Sequence, residues 1–207
     1  IREHDLFIKS QGWAGTLDYN PVPKYFLEDA LLEEGKLSFP KSAMQEMQSS
    51  NGPLVSTFHL VDEFRGTSGD HIEVTAQVKN TYNEKWAVCE TLRMVILGKE
   101  GALIIPFSQL GCVSNLGLML NNSYISGKEK DLSVFGIGLS EDRKISIQIL
   151  NKQVVVSVDD AEIYSGAYTE SIGEFVGMRF RFLGLGEVTQ LSVKDKIQNK
   201  FVLEQGE

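Results

Sequence analysis

The chain is predicted to be all-β, a sandwich of two antiparallel sheets with one short helix. Three observations carry this. Residues between Arg143 and Asp195 alternate apolar and polar with a period of two, the turns between the runs are rich in Asn, Asp and Gly, and almost no stretch keeps a helical period. Ile145, Ile147 and Ile149 alternate with Ser146 and Gln148, and after Asn151-Lys152 the pattern resumes with Val154, Val156 and Val158. Asp159-Asp160 suits a turn, and Ile163-Tyr164 is a short further piece. Val176, Met178, Phe180 and Phe182 then alternate with Gly177, Arg179 and Arg181, which aims two guanidinium groups away from the core. Gly184-Leu185-Gly186 reads as the reversal before Val188 to Val193, because glycine accepts positive φ at little cost. The core is assigned to Ile145, Ile147, Val154, Val156, Met178, Phe180 and Val188.

Earlier in the chain, residues 1–30 read as an irregular segment packed on the sandwich, since Gly12, Gly15, Pro21 and Pro23 break any period. Trp13, Tyr19, Tyr25 and Phe26 serve it as anchors, with Trp13 and Tyr19 as a sugar-stacking platform the alternative. Leu31, Leu32, Leu37 and Phe39 surround a hairpin turn at Glu34-Gly35. Ser42 to Gln45 fits a capping box, so the helix is placed from Ser42 to Ser49. Leu54 to Val61 and Ile72 to Val78 are strands, separated by a flexible loop at residues 66–70. Ala87 to Leu97 is another, with Glu90 sharing a face with Val88, Leu92 and Met94. There it either lies in a ligand groove or closes an ion pair, because a lone buried charge is costly. Ala102 to Phe107 returns through Glu100-Gly101. Asn121 begins a glycosylation sequon and is read as a turn, and Lys128 to Asp131 as a solvated loop.

The order Lys144 to Leu150, Val154 to Tyr164, Phe175 to Phe182 and Gly186-Glu187-Val188 resembles the C-terminal half of a concanavalin A-like or laminin-G-type sandwich. The likeness is good over the last third of the chain and loose over the middle third. More narrowly, the whole chain is similar to uncharacterised extracytoplasmic domains of membrane-anchored bacterial envelope proteins. The resemblance implies a jelly-roll architecture and supplies no catalytic residues.

At 207 residues the chain suits a single sandwich domain, 1–207, and 42% hydrophobic content is enough for a core. A net charge of −8 argues against nucleic acid or an anionic lipid surface as the main partner. No apolar run approaches the roughly 18 residues that span a bilayer. The chain begins with Ile, so an upstream signal or anchor is expected to have been removed, which makes the setting extracytoplasmic and any membrane attachment indirect.

Motifs for chemistry are sparse. The paired-carboxylate pattern Glu-x-Asp-x-x-Glu of jelly-roll glycosidases does not occur, and only folding could bring Glu73 to Glu90. His4, His59 and His71 lack the spacing of a zinc site or a nucleophile's base. Gly184-x-Gly186 is no dinucleotide loop, because Thr189 replaces the third glycine and a strand follows. Asp159, Asp160 and Glu162 could hold calcium but read more simply as a turn. No catalytic residue, metal or cofactor is therefore assigned. If a groove exists, its predicted lining is Glu73, Gln77, Arg93, Arg179 and Arg181 with Trp86 at the rim; Arg179 and Arg181 would there fork a carboxylate or an anionic sugar, the alternative being that they cover neighbouring strands and pair with acids. The function expected is a non-catalytic binding module for a glycan or another cell-envelope component. The alternatives are a glycoside-acting enzyme and a purely structural domain of an anchored protein. Finally, a two-residue turn at Glu100-Gly101 would set Cys89 opposite Cys112, within reach of a disulfide unless Pro106 shifts the register.

Overall fold

The computed structural model describes residues 12–19, 22–27, 31–33, 35–38, 54–61, 64–81, 90–111 and 116–204. They form sixteen strands in two antiparallel sheets, with 3-10 turns at Gly69–His71 and Ser133–Phe135. Sheet I runs Ser123–Ser126 (β10), Gly117–Leu120 (β9), Ala102–Ser108 (β8), Glu90–Gly98 (β7), Phe175–Leu183 (β14), Leu54–Val61 (β5), Gly12–Tyr19 (β1) and Val22–Leu27 (β2). Sheet II runs Ala161–Ala167 (β13), Gln153–Val158 (β12), Arg143–Leu150 (β11), Ile72–Thr81 (β6), Leu185–Asp195 (β15), Lys36–Ser38 (β4) and Leu31–Glu33 (β3), and Lys200–Glu204 (β16) also pairs with β15. The predicted helix from Ser42 lies outside the described residues.

The core forms because every strand of the middle of each sheet sends alternate apolar side chains inward. Ile145, Ile147, Val154, Val156, Met178, Phe180 and Val188 are all buried, as the alternation requires, and Phe58 meets Phe182 edge-on at 6.2 Å between ring centroids. The hairpin at Glu34-Gly35 is also present, with Glu33 opposite Lys36. Asn121 takes a left-handed φ of 55° between Leu120 and Ser123, and its side-chain amide donates to the Glu170 carbonyl at 2.9 Å. The sequon asparagine is thus a turn residue whose amide is already engaged.

Six expectations about strands and loops need correcting. Residues 12–19 and 22–27 are strands at the edge of sheet I, and Pro23 sits on the outermost strand, where a missing N–H breaks no ladder. A bulge between Phe175 and Gly177 turns Phe175 into the core and leaves Val176 partly exposed. A second bulge between Glu90 and Leu92 interrupts the alternation that tied Glu90 to the core face, and Glu90 pairs instead with Ser108. The two-residue turn after β7 is Lys99-Glu100 and not Glu100-Gly101: Leu97 faces Ala102, the Gly98 amide donates to the Gly101 carbonyl at 2.8 Å, and the amides of Lys99 and Glu100 bond to the Glu174 and Ile172 carbonyls. This register differs by two from the one that set Cys89 against Cys112, so that argument for a disulfide lapses; both cysteines lie outside the described residues. Pro106 pairs directly with Arg93 without a bulge.

The fifth correction concerns Gly184. β14 and β15 belong to different sheets, so Gly184-Leu185-Gly186 is a corner that carries the chain from one layer to the other, not a hairpin. Gly184 has φ 128°, and a Cβ on Gly186 would lie 1.9 Å from the Phe182 ring. The Gly186 amide donates to Ser56 Oγ at 2.9 Å, which ties the corner to β5. Beside it, buried Asn80 of β6 donates to the Thr91 and Leu183 carbonyls at 3.1 and 2.8 Å, joining sheet II to sheet I.

The loop at residues 66–70 is held rather than flexible. Asp70 is 5% exposed and accepts hydrogen bonds from the Tyr168 hydroxyl at 2.6 Å, the Ile172 amide at 3.1 Å and the Ser171 hydroxyl. Burial alone would raise its pKa, but those bonds outweigh it and hold the carboxyl below the usual range. Burial, reinforced by the Asp70 charge, pushes the Tyr168 phenol up.

Candidate functional site

Alternation fixes which side chains leave the core, and cross-strand register fixes which of them meet. In sheet I, Met94, Ile96, Met178, Phe180 and Phe182 are core residues, so Arg93, Arg179 and Arg181 occupy the outer face. Arg93 lies opposite Arg181 across the β7–β14 pair, and Arg179 lies opposite Val95 on one side and His59 on the other. Arg181 in turn faces Thr57 of β5. The three arginines are partly buried, while Thr57 and His59 are each 2% exposed. Pro106 fits beside Arg93 because the ladder from β8 to β9 stops at Ile104, so no strand requires its N–H on that side.

Sheet II carries the remainder of the predicted lining. Ile72, Val74, Ala76 and Val78 fill the core, which puts Glu73 and Gln77 on the outer face of β6. That face is on the far side of the sandwich from the arginines, so one groove cannot hold both sets. Glu73 is moreover engaged by Lys196, with Nζ and Oε2 2.7 Å apart. Trp86 lies outside the described residues. Glu73 and Glu90 stand on strands of different sheets, and Glu73 is on the outer face of its own.

The possible calcium ligands are occupied otherwise. Asp159 and Asp160, at φ 50° and 66°, form the two-residue turn between β12 and β13. Arg143 bonds Asp159 at 2.8 Å and lowers its pKa, and Lys144 bonds Asp160 at 2.6 Å. Among the described residues no group of three or more His, Cys, Asp or Glu side chains could hold a metal ion.

One side chain of this face escaped the sequence reading. Tyr124 of β10 is 68% exposed and lies opposite Met119 of β9, on the same outer side of sheet I as the arginines. Its flanking pattern, a Tyr after Asn-Asn-Ser in a weakly alternating stretch, gave no sign of which face it would take.

No protein-family sequence model matches the chain, and no curated protein matches it by sequence. Solved structures do match. A sialidase aligns with 88% of this chain at 7% identity and TM-score 0.48, but this chain spans only 15% of that one. Domain 4 of AbnA, a GH43 extracellular arabinanase from Geobacillus stearothermophilus in complex with arabinotriose, aligns over 88% of this chain and 82% of its own at 14% identity and TM-score 0.48. The exoplasmic/lumenal domain of VIP36, in a Ca2+/Man-bound form, aligns over 93% of this chain and 86% of its own at 8% identity and TM-score 0.52. What the chain has in common with the VIP36 domain is the fold, a two-sheet antiparallel jelly-roll sandwich.

Proposed function

We propose that the outer face of sheet I binds an acidic glycan and does not turn it over. The observation that carries this reading is the register that sets Arg93 against Arg181 with Arg179 two residues along the same strand. Directly opposed like charges weaken a sheet, whereas planar guanidinium groups recognise carboxylates through paired N–H donors. Each guanidinium carries five such donors, enough in number to serve partners within the fold and a ligand together. Support by analogy comes from VIP36, whose similar sandwich is described with bound mannose. A binding role is favoured over glycoside cleavage by the placement of Glu73 and Glu90 in separate sheets. An extracytoplasmic setting, where such glycans are exposed, belongs to the same proposal, and protease access to the domain on intact cells tests it.

The function is tested by calorimetric titration with galacturonate oligosaccharides. Arg179→Ala combined with Arg181→Ala is expected to weaken binding roughly a hundred-fold with the melting temperature nearly unchanged. Glu73→Ala combined with Gln77→Ala should leave affinity intact. A large fall in melting temperature would assign the arginines to structure, and unchanged affinity would remove them from the site. New reducing ends in the titrated sample would move the protein to the glycoside-acting class.

A further inference from the structure

The arginine face continues into an apolar track that an anion site alone does not require. Tyr124 faces Met119, Met119 faces Ile104, Ile104 faces Val95, Val95 faces Arg179, and Arg179 faces His59. These residues form one row across the strands of sheet I, on the side away from Leu118, Leu103, Ile105, Met94 and Met178 of the core. Four strand spacings separate Tyr124 from Arg179, a span of ~19 Å. Between these two ends the row carries no charge. Exposure falls along it, from Tyr124 at 68% through partly buried Met119 and Ile104 to Val95 at 3%.

The tyrosine ring is held against the sheet. A Cβ on Gly117 would lie 2.5 Å from the Tyr124 hydroxyl oxygen and 2.8 Å from a ring carbon, so only glycine at this position lets the ring lie over the strand. Covering a glycine is a structural use of an aromatic ring, and Tyr124 stays 68% exposed in doing so. The exposed ring stands at the open end of a row that leads to the guanidinium groups.

We propose that Tyr124 is the platform of a second subsite, stacking on the C–H face of a sugar in the same acidic oligosaccharide whose carboxylates meet Arg93, Arg179 and Arg181. The reading rests on the function proposed above. Met119 and Ile104 form the floor beside the ring, the ligand passes above buried Val95 to reach the arginines, and its chain runs across the strands rather than along them. A tyrosine suits this task because its ring offers a large apolar area with little rotamer freedom to lose.

Affinities of a galacturonate disaccharide and a hexasaccharide for the wild-type chain and its variants test the inference. The disaccharide is too short to reach from the arginines to the ring. The hexasaccharide is expected to bind at least about ten-fold tighter, and Tyr124→Ala should abolish that gain while leaving disaccharide affinity unchanged. Tyr124→Leu, which keeps an apolar cover on Gly117, should behave like Tyr124→Ala; Tyr124→Phe should behave like wild type. Gly117→Ala, which must lift the ring, should weaken the hexasaccharide alone. Unchanged hexasaccharide affinity in Tyr124→Ala and Tyr124→Leu would overturn the second subsite and spare the arginine site. Equal losses in Tyr124→Phe and Tyr124→Ala would overturn stacking in favour of a hydroxyl contact. Failure of the wild-type chain to bind either oligomer would overturn both readings.

Discussion

Asp70 concentrates several of the structure's polar constraints in one carboxylate, because it alone bonds the loop before β6 to Tyr168, Ser171 and Ile172 among the hydrogen bonds of the described residues. Asp70→Asn replaces an acceptor of three hydrogen bonds by a group with one acceptor oxygen and a donor that points at other donors. A loss of about 1–3 kcal/mol is expected in urea unfolding at neutral pH. The pH dependence follows from the depressed folded pKa. Its stabilisation is present above the unfolded value near 4, and it is lost as pH falls through the lower, folded value. Wild type and Asp70→Asn should therefore converge in stability in strong acid, and a gap that stays constant from neutral to acid pH would refute this. None of this was legible beforehand, since Asp70 stands in a Gly-Thr-Ser-Gly-Asp stretch that reads as loop, and its partners lie about a hundred positions away. The outward direction of Arg179 and Arg181 was legible, because it needs only the period of two.

At the scale of elements, the strands from Arg143 onward follow their apolar alternation closely, and the departures occur where backbone context overrules it. Two bulges, next to Thr91 and Val176, shift the pattern by one residue, and no residue type at either place announces an extra position. The corner at Gly184 has the composition of a hairpin turn and a different job, since alternation assigns a face to each side chain without assigning the sheet. For the same reason Glu73 and Gln77 were grouped with arginines that lie across the sandwich. The corner also makes a prediction. Gly186→Ala puts a methyl group where the Phe182 ring already stands, so it should destabilise by about 1–3 kcal/mol through overpacking. The same change at Gly166, where the near atoms are the mobile end of Tyr164, should cost less. Thermal melts of the two variants side by side check this, and equal melting temperatures would contradict the tight corner.

For the molecule as a whole, the fold class was readable because a sandwich is little more than alternation repeated often enough to cover two facing sheets. The site was readable only in part, because it depends on which strands become neighbours, and β7, β14 and β5 are drawn from distant parts of the chain. The corner at Gly184 bears on how this assembly comes apart. β14 lies inside sheet I between β7 and β5, and the next strand, β15, lies inside sheet II against β6, so the interiors of both layers are one uninterrupted ribbon. Neither layer can fray to its middle without pulling on the other. Amide protons of β14 and β15 should therefore exchange with deuterium at a common free energy equal to that of global unfolding, while those of the β9–β10 hairpin escape sooner through local opening. Mass-resolved exchange in which the β14 amides open well before those of β15 would show instead two layers that melt independently.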